Sequence, residues 1–268
     1  MVYLTQALFI VGWVVFGASP AFATELGWPV YGGDPAGTRY SPAAQITREN
    51  VGQLTVAWSY STRDLATKGD AMRRASFEVT PILVDGRLYI CSAFNEVTAL
   101  DPATGQELWR FDPEIDPSIR YPNSFVCRGV AYWRDPNHRT DLCAARIFLA
   151  TNDRRLIALD AETGKPCAGF GDNGTVAIVP VPHMFRPGEM QITSAPVVTH
   201  GLVLVGSSID DNQRVDAPRG TVNAYDAVTG ALVWTFDPLP RIAAATIISS
   251  SNTDMIQAGA ANAGRRCP

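Results

Sequence analysis

Apolar and polar residues alternate along this chain in short runs, and one pattern of this kind occurs three times. In each copy an apolar pair precedes an Asp-x-x-Thr-Gly segment, and a phenylalanine follows six residues after the glycine. The alternation predicts half-buried β-strands. Asp-x-x-Thr-Gly is typical of a tight turn, because glycine supplies a positive φ angle and aspartate bonds its own backbone. Residues 99–111, 158–170 and 224–236 are therefore predicted to be β-hairpins.

Further strands are predicted before each of these hairpins. Residues 80–90 and 194–205 each contain two apolar runs around an Asp-Gly or His-Gly turn, and residues 145–151 provide the matching strand of the middle unit. Each unit thus predicts four short antiparallel strands, as a β-propeller blade requires. A repeat about sixty residues long indicates stacked supersecondary units with long loops. The predicted fold class is all-β, a partial β-propeller of about three blades.

The two ends of the chain differ from the repeats. Residues 7–16 are almost wholly apolar, and an Ala-Phe-Ala cleavage signal ends at Ala23. We interpret residues 1–23 as a signal peptide and expect export to the periplasm. Because no lysine or arginine precedes the apolar run, an uncleaved membrane anchor is the alternative. The propeller blades are predicted over residues 24–240, and residues 241–268, rich in alanine, serine and glycine, are predicted to form an irregular tail.

Charge and cysteine content narrow the function further. The net charge of −4 and the lack of a basic, aromatic stripe argue against nucleic-acid binding. An exporting compartment permits disulfides. The sequence has no Cys-x-x-Cys spacing, which argues against a zinc site and against haem attachment. Cys143 and Cys167 flank the middle hairpin, which brings its outer ends together, so a disulfide between them is expected. Because Cys167 adjoins Ala168, where the other repeats have tryptophan, we interpret this bond as a replacement for the lost aromatic packing. Two separate buried thiols are the alternative.

The remaining residues give few signs of catalysis. No Ser-His-Asp arrangement, glycine-rich phosphate loop or His-Glu-x-x-His motif is present. The three histidines are isolated and are interpreted as surface residues: His138, His183 and His200. Large aromatic side chains recur at the outer strands and are predicted to pack between blades: Trp58, Trp109 and Trp234.

Several strings outside the turns identify a family. They are Tyr-Gly-Gly-Asp-Pro-Ala-Gly-Thr-Arg-Tyr-Ser-Pro at 31–42, Ile-Thr-Arg-Glu-Asn-Val-Gly-Gln-Leu at 46–54, Glu-Val-Thr-Pro at 78–81 and Cys-Arg-Gly at 127–129. Over about residues 27–240 the chain resembles the pyrroloquinoline-quinone (PQQ) dependent dehydrogenases, and most of all their glucose dehydrogenase branch. This resemblance implies an eight-bladed propeller with PQQ and Ca²⁺ near its axis. It also implies oxidation of a sugar or alcohol, with a quinone or cytochrome as electron acceptor.

The resemblance assigns roles to five residues of this sequence. Glu78 matches a carboxylate at the rim of PQQ, and Arg128 matches the arginine at the quinone oxygens, where a fixed cation stabilises negative charge. Thr193 and Ser207 match hydroxyl groups that bond the PQQ carboxylates. Asp210 matches a Ca²⁺ ligand, since hard oxygen atoms suit that ion.

Each of these residues also has an ordinary structural explanation. Glu78 and Arg128 can form an ion pair in a loop, Thr193 and Ser207 can hydrogen-bond at strand ends, and Asp210 can lie in a solvated turn. The family's catalytic aspartate, a lysine and the other Ca²⁺ ligands belong to later blades. We therefore assign no catalytic residue to this chain and expect little turnover from it alone.

The chain departs from the family pattern at two short segments. Ser61 stands where an arginine is common, with Arg63 two positions later. Ser124-Phe-Val-Cys127 has neither the adjacent cysteines of alcohol-oxidising members nor the histidine of glucose-oxidising ones, which leaves the substrate open. A non-enzymatic propeller scaffold of the export compartment and an inactive gene remnant are the alternative functions. Unpaired blade faces predict self-association.

Overall fold

The computed structural model describes residues 27–137, 141–179, 186–214 and 217–238. The signal-peptide and tail predictions, and the interpretations of His138 and His183, lie outside these ranges. Regular structure in the described part is almost entirely β-strand, with one short helix, α1 (Asp64–Thr67), and two 3₁₀ turns, Val51–Gln53 and Gly69–Arg74. No helix there has the length and apolar character needed to cross a membrane.

The strands form three four-stranded antiparallel sheets, which confirms the all-β prediction and the four-stranded blades. In chain order the strands are β1 (Ala75–Phe77), β2 (Ile82–Val84), β3 (Arg87–Cys91), β4 (Val97–Leu100), β5 (Glu107–Phe111), β6 (Phe125–Cys127), β7 (Ala131–Arg134), β8 (Ala145–Ala150), β9 (Arg155–Asp160), β10 (Thr175–Ala177), β11 (Met190–Gln191), β12 (Val197–Thr199), β13 (Leu202–Val205), β14 (Ser208–Ile209), β15 (Val222–Asp226) and β16 (Leu232–Phe236). Blade 1 has the order β2-β3-β4-β5, blade 2 the order β7-β8-β9-β10, and blade 3 the order β12-β13-β15-β16. Two small pairs lie outside the blades: β1 runs parallel to β6, and β11 antiparallel to β14.

The three predicted turns have one geometry. In each, the aspartate Oδ1 accepts a hydrogen bond from the amide of the threonine three residues later, at 2.8, 2.9 and 2.7 Å for Asp101, Asp160 and Asp226. The glycine amide closes the turn by donating to the carbonyl of the same aspartate. The glycines have φ angles of 71°, 70° and 74°, which side chains rarely adopt. The turn prediction from the sequence is confirmed.

The core lies between the blades. Strand β8 is buried along its whole length, and its side chains alternate between two hydrophobic clusters. Ile147 and Leu149 join the cluster shared with blade 1, whereas Phe148 and Ala150 join the cluster shared with blade 3. Successive side chains of a strand point to opposite faces, so a strand that is buried on both faces needs consecutive apolar residues. This explains the run Ile-Phe-Leu-Ala.

Tryptophan packing joins consecutive units, as predicted for Trp58 and Trp109. The Trp109 indole N–H donates to the Ala161 carbonyl at 3.0 Å, and the Trp58 indole donates to the Pro102 carbonyl at 3.1 Å. Each ring lies against the glycine of the turn it contacts, where a Cβ atom would overlap with the ring. The turn glycine therefore serves both the φ angle and the close approach of the neighbouring aromatic.

The middle hairpin differs from the prediction. Residues 166–170 do not form the return strand of blade 2, because the chain turns there and only Pro166 makes an isolated bridge, to Leu159. The outer strand of blade 2 is instead β10, which starts nine residues after Pro166 and pairs with β9. Proline lacks an amide hydrogen, so it does not donate to a ladder, and Cys167 is tied to Cys143. A disulfide thus joins the two cysteines singled out in the sequence.

Candidate functional site

The strand register brings Glu78 and Arg128 together. In the parallel pair β1–β6, Phe77 lies opposite Cys127, and Glu78 and Arg128 directly follow these two residues. Arg128 Nη2 lies 2.9 Å from Glu78 Oε2. Two residues that are fifty positions apart in the sequence thus become neighbours because their strands end at the same level.

The backbone of Arg128 connects this ion pair to Thr193. The Arg128 amide donates to the Thr193 carbonyl at 3.1 Å, and the Arg128 carbonyl accepts from the Thr80 amide at 3.0 Å. Gly129 follows with a φ angle of 151°, and a Cβ atom there would lie 3.3 Å from the Thr80 carbonyl oxygen. The segments that contain Glu78, Arg128 and Thr193 therefore form one hydrogen-bonded ladder, which we call the site ladder.

The side chains of the ion pair remain partly open to solvent. Arg128 is 30% exposed and Glu78 is 44% exposed, whereas Thr193 is buried. An ion pair with this exposure contributes about 0–1 kcal/mol, because water solvates both partners well. Arg128 can therefore exchange Glu78 for another anionic group at small cost in free energy.

Ser207 lies near the site ladder, but its hydroxyl already has an acceptor. It directly precedes β14, whose Ser208 is paired with Gln191, two residues before Thr193. The Ser207 hydroxyl is buried and donates to the Thr221 carbonyl at 3.0 Å. Donation to a carboxylate ligand would require this hydrogen to leave Thr221. The role of Ser207 in ligand binding stays a prediction.

Asp210 is positioned by Glu189. The Asp210 amide donates to the Glu189 carbonyl at 2.8 Å, and the Glu189 carboxylate binds the Arg214 guanidinium at 2.6 and 3.0 Å. This bidentate hydrogen bonding holds the pKa of Glu189 below its usual value. Within the described ranges no three residues of the types His, Cys, Asp or Glu lie close enough together to hold a metal ion. Asp210 thus offers one carboxylate to a cation, and its metal role stays a prediction.

Arg63, two positions after the Ser61 that stands in place of the family's arginine, forms its ion pair outside the site ladder. Arg63 Nη2 lies 3.2 Å from Glu107 Oε2 on β5, the outer strand of blade 1, and the Arg63 side chain is 61% exposed. Tyr60 donates to the same carboxylate oxygen at 2.7 Å. The ion pair of Arg63 thus supports the outer edge of blade 1.

A second disulfide next to the site was missed in the sequence. Cys91, at the end of β3, is bonded to Cys127, the residue directly before Arg128. Both cysteines are almost fully buried. This bond ties the core of blade 1 to the strand end that carries Arg128. The position of one cysteine at the end of a predicted strand and of the other inside the Cys-Arg-Gly string was the available signal.

Comparisons with known proteins bear on the family and the fold of this chain. A family model described as "PQQ: Glucose/ethanol/alcohol dehydrogenase, beta-propeller domain" matches residues 28–263. The quinoprotein glucose dehydrogenase A of Acinetobacter calcoaceticus is 39% identical over 215 residues, covering 75% of this chain and 26% of that protein. The glycerol dehydrogenase large subunit of Gluconobacter thailandicus is 40% identical over 204 residues, covering 75% of this chain and 27% of that protein.

A solved structure shows the same fold. The quinohemoprotein alcohol dehydrogenase from Comamonas testosteroni matches with a TM-score of 0.60 and 33% identity, covering 80% of this chain and 27% of that one. A europium-containing methanol dehydrogenase matches with a TM-score of 0.58 and 30% identity. The chain spans about a quarter of the length of the curated relatives it matches.

Proposed function

This chain belongs to the family of PQQ-dependent glucose, ethanol and alcohol dehydrogenase β-propellers, and we propose that it carries part of the PQQ site of a sugar- or polyol-oxidising enzyme. The observation that supports the proposal is the site ladder, which places Glu78, Arg128 and Thr193 side by side. When bound, PQQ accepts the electrons of the oxidation, and the protein supplies placement and electrostatics.

Each residue of the ladder has a task that suits a flat tricarboxylate quinone. The Arg128 guanidinium is a planar, permanently charged donor that matches carboxylate and quinone oxygens. Glu78 accepts hydrogen bonds at the rim and orients Arg128 through their ion pair. The Thr193 hydroxyl is a neutral donor for a carboxylate oxygen, and its backbone carbonyl holds the Arg128 amide.

A cation site beside PQQ fits the residues only in part. The Asp210 carboxylate is a hard oxygen donor of the kind that Ca²⁺ prefers. Ca²⁺ takes about six to eight oxygen ligands, and no cluster of three His, Cys, Asp or Glu residues lies within the described ranges, so we expect further ligands from the later blades of the family's propeller. The family's catalytic base is expected from the same source, since proton transfer needs a base within hydrogen-bond reach of the substrate. We therefore propose PQQ binding by this chain and little turnover without the other blades.

The cellular setting of the proposal follows from the N-terminal sequence. We propose that residues 1–23 direct the chain to the periplasm, where a quinone or cytochrome takes the electrons. All five residues of β16 are exposed, including Trp234 at 40%, so we also expect the chain to self-associate through this face. Light scattering of the purified chain measures the association.

The proposal is tested by titrating the full chain with PQQ in the presence of Ca²⁺ and monitoring binding through the quenching of tryptophan fluorescence. We expect saturable binding that Arg128→Gln weakens by about tenfold or more, because a hydrogen bond to a charged group is lost. Arg134→Gln is the matched control, since Arg134 also forms a partly exposed ion pair, with Asp85. Its affinity should equal that of the unaltered chain.

Two results would overturn the proposal. One is the absence of saturable PQQ binding by a chain that unfolds cooperatively, and the other is equal affinity of Arg128→Gln and Arg134→Gln. A dye-linked assay with glucose and glycerol then measures turnover. Rapid oxidation by the chain alone would contradict the expectation that the other blades are required.

A further inference from the structure

The side-chain amide of Asn152 lies at the centre of the contacts behind the site ladder. Asn152 follows β8 by two residues, in the turn that leads to β9, and is completely buried. Its Nδ2 donates to the Val126 carbonyl at 2.9 Å and to the Ile192 carbonyl at 3.2 Å. Its Oδ1 accepts from the Val126 amide at 3.3 Å. The amide of one side chain thus bonds two separate strand ends.

These two strand ends carry the residues of the site. Val126 lies two positions before Arg128 on the same strand edge, and Ile192 directly precedes Thr193. The Asn152 amide therefore occupies the place of a strand partner for Val126, bonding both its N–H and its C=O. The next bond along this edge is the one from the Arg128 amide to the Thr193 carbonyl.

Asn152 is itself held by blade 1. Its backbone amide donates at 2.9 Å to Oδ1 of Asn95, which lies in the turn between β3 and β4 and is also completely buried. The Asn95 residue has a positive φ angle of 64°, a conformation that asparagine tolerates better than most residues. Blade 1, blade 2 and the approach to blade 3 are thus linked through two buried asparagines.

We infer that Asn152 is a positioning residue that sets the register of the site ladder and so holds Arg128 and Thr193 at the spacing that PQQ requires. The inference rests on the proposed function for the ligand, whereas the register itself is independent of any ligand. A hydrophobic residue of similar size at this position would leave two buried carbonyls and one buried amide without partners. Burial in a low-dielectric interior makes such a network sensitive to loss of a single member.

The test uses Asn152→Ala in the full chain and amide hydrogen exchange resolved to single residues, without ligand. We expect the protection of the Val126 and Arg128 amides to fall by about tenfold or more, because the strand edge loses its partner. The amides of Leu149 and Ile157 in the blade core should keep their protection. Asn223→Ala is the matched control, since Asn223 is a buried asparagine of blade 3 whose amide contacts Thr221 and Thr235.

A second readout joins the register to binding. PQQ affinity of Asn152→Ala should fall by about tenfold, while Asn223→Ala binds as the unaltered chain does. Unchanged protection at Arg128, or an equal loss of protection throughout blade 2, would overturn the positioning role. If the unaltered chain binds no PQQ, the proposed function fails and the exchange data still decide the register. Local loss of protection with full PQQ affinity would contradict the link between register and binding.

Discussion

The contact between blades 1 and 2 and the contact between blades 2 and 3 fill the same place with different chemistry. In the first, the indole of Trp109 donates to the Ala161 carbonyl, directly after the turn aspartate Asp160. In the second, the equivalent carbonyl of Ala227 accepts instead from the Arg146 guanidinium at 2.8 Å, and the Val228 carbonyl accepts at 2.7 Å. Blade 2 has no tryptophan in its outer strand to use there.

The second contact needs supports that the first does not have. Arg146 also donates to the Cys143 carbonyl at 2.9 Å, and Cys143 is bonded to Cys167. Phe170 then packs near Gly230, and the Gly171 amide donates to the Thr229 carbonyl at 2.8 Å. Burial lowers the pKa of Arg146, since water is withdrawn from a charged group. What the propeller preserves at this place is a donor for the turn carbonyl and an apolar cover for the glycine, and several side chains meet that requirement.

Removing the tryptophan should have the largest effect. Trp109→Ala should lower the free energy of unfolding by about 3–5 kcal/mol, because a side chain only 8% exposed is lost with its hydrogen bond. Trp234→Ala is the matched control at the same position of blade 3, measured at a protein concentration at which light scattering shows a monomer. There the ring is 40% exposed, and the substitution should change the free energy of unfolding by less than about 1 kcal/mol. Urea unfolding followed by circular dichroism measures both. If both substitutions lower the free energy of unfolding equally, the contact of Trp109 with blade 2 is not the cause of its effect.

The disulfide of blade 2 should have the next largest effect. The double substitution Cys143→Ser with Cys167→Ser should cost about 3 kcal/mol, because the bond closes a loop with a sequence separation of 24 residues. The same urea experiment measures it, and PQQ affinity should not change.

The second disulfide provides the contrast. Cys91→Ser with Cys127→Ser opens a loop with a separation of 36 residues and should cost a similar amount. Because Cys127 directly precedes Arg128, this double substitution should also weaken PQQ binding. If the two double variants affect PQQ affinity equally, the Cys91–Cys127 bond does not position Arg128.

Removing the guanidinium should have the smallest of these effects. Arg146→Met should cost about 2 kcal/mol, because two turn carbonyls lose their donor while the length of the side chain is kept. Arg87→Met is the matched control, since Leu88 and Ile147 pair with corresponding residues and so place Arg87 and Arg146 at the same register position. There the next turn already has Trp109, and the expected change is within about 0.5 kcal/mol. If Arg146→Met leaves the free energy of unfolding unchanged, then water or the packing of Phe170 is enough to stabilise this contact between blades 2 and 3.

The sequence predicted the parts of the fold that depend on local chemistry. The three Asp-x-x-Thr-Gly turns form as expected, because Asp101 and its counterparts bond residues only three positions away. The return strand of blade 2 was placed wrongly, since Pro166 interrupts the pattern and β10 pairs only after an irregular loop. The role of Arg146 was not predictable either, because Arg87 has the same register position and no such contact.

The same distinction applies to the candidate site. Glu78 and Arg128 were singled out by their strings, but their proximity depends on the parallel register of β1 and β6, which no local pattern fixes. The Asn152 contacts join segments that lie 26 and 40 residues away, so they become visible only in the folded chain. The Cys91–Cys127 bond belongs to the same class of long-range contact.

Binding of PQQ by the site ladder is tested by a crystal structure of the full chain soaked with PQQ and Ca²⁺. We expect PQQ oxygens within hydrogen-bond distance of the Arg128 guanidinium and the Thr193 hydroxyl, with Glu78 at the rim. PQQ bound at another surface, while Arg128 keeps its 2.9 Å ion pair with Glu78, would show that the site ladder does not hold PQQ.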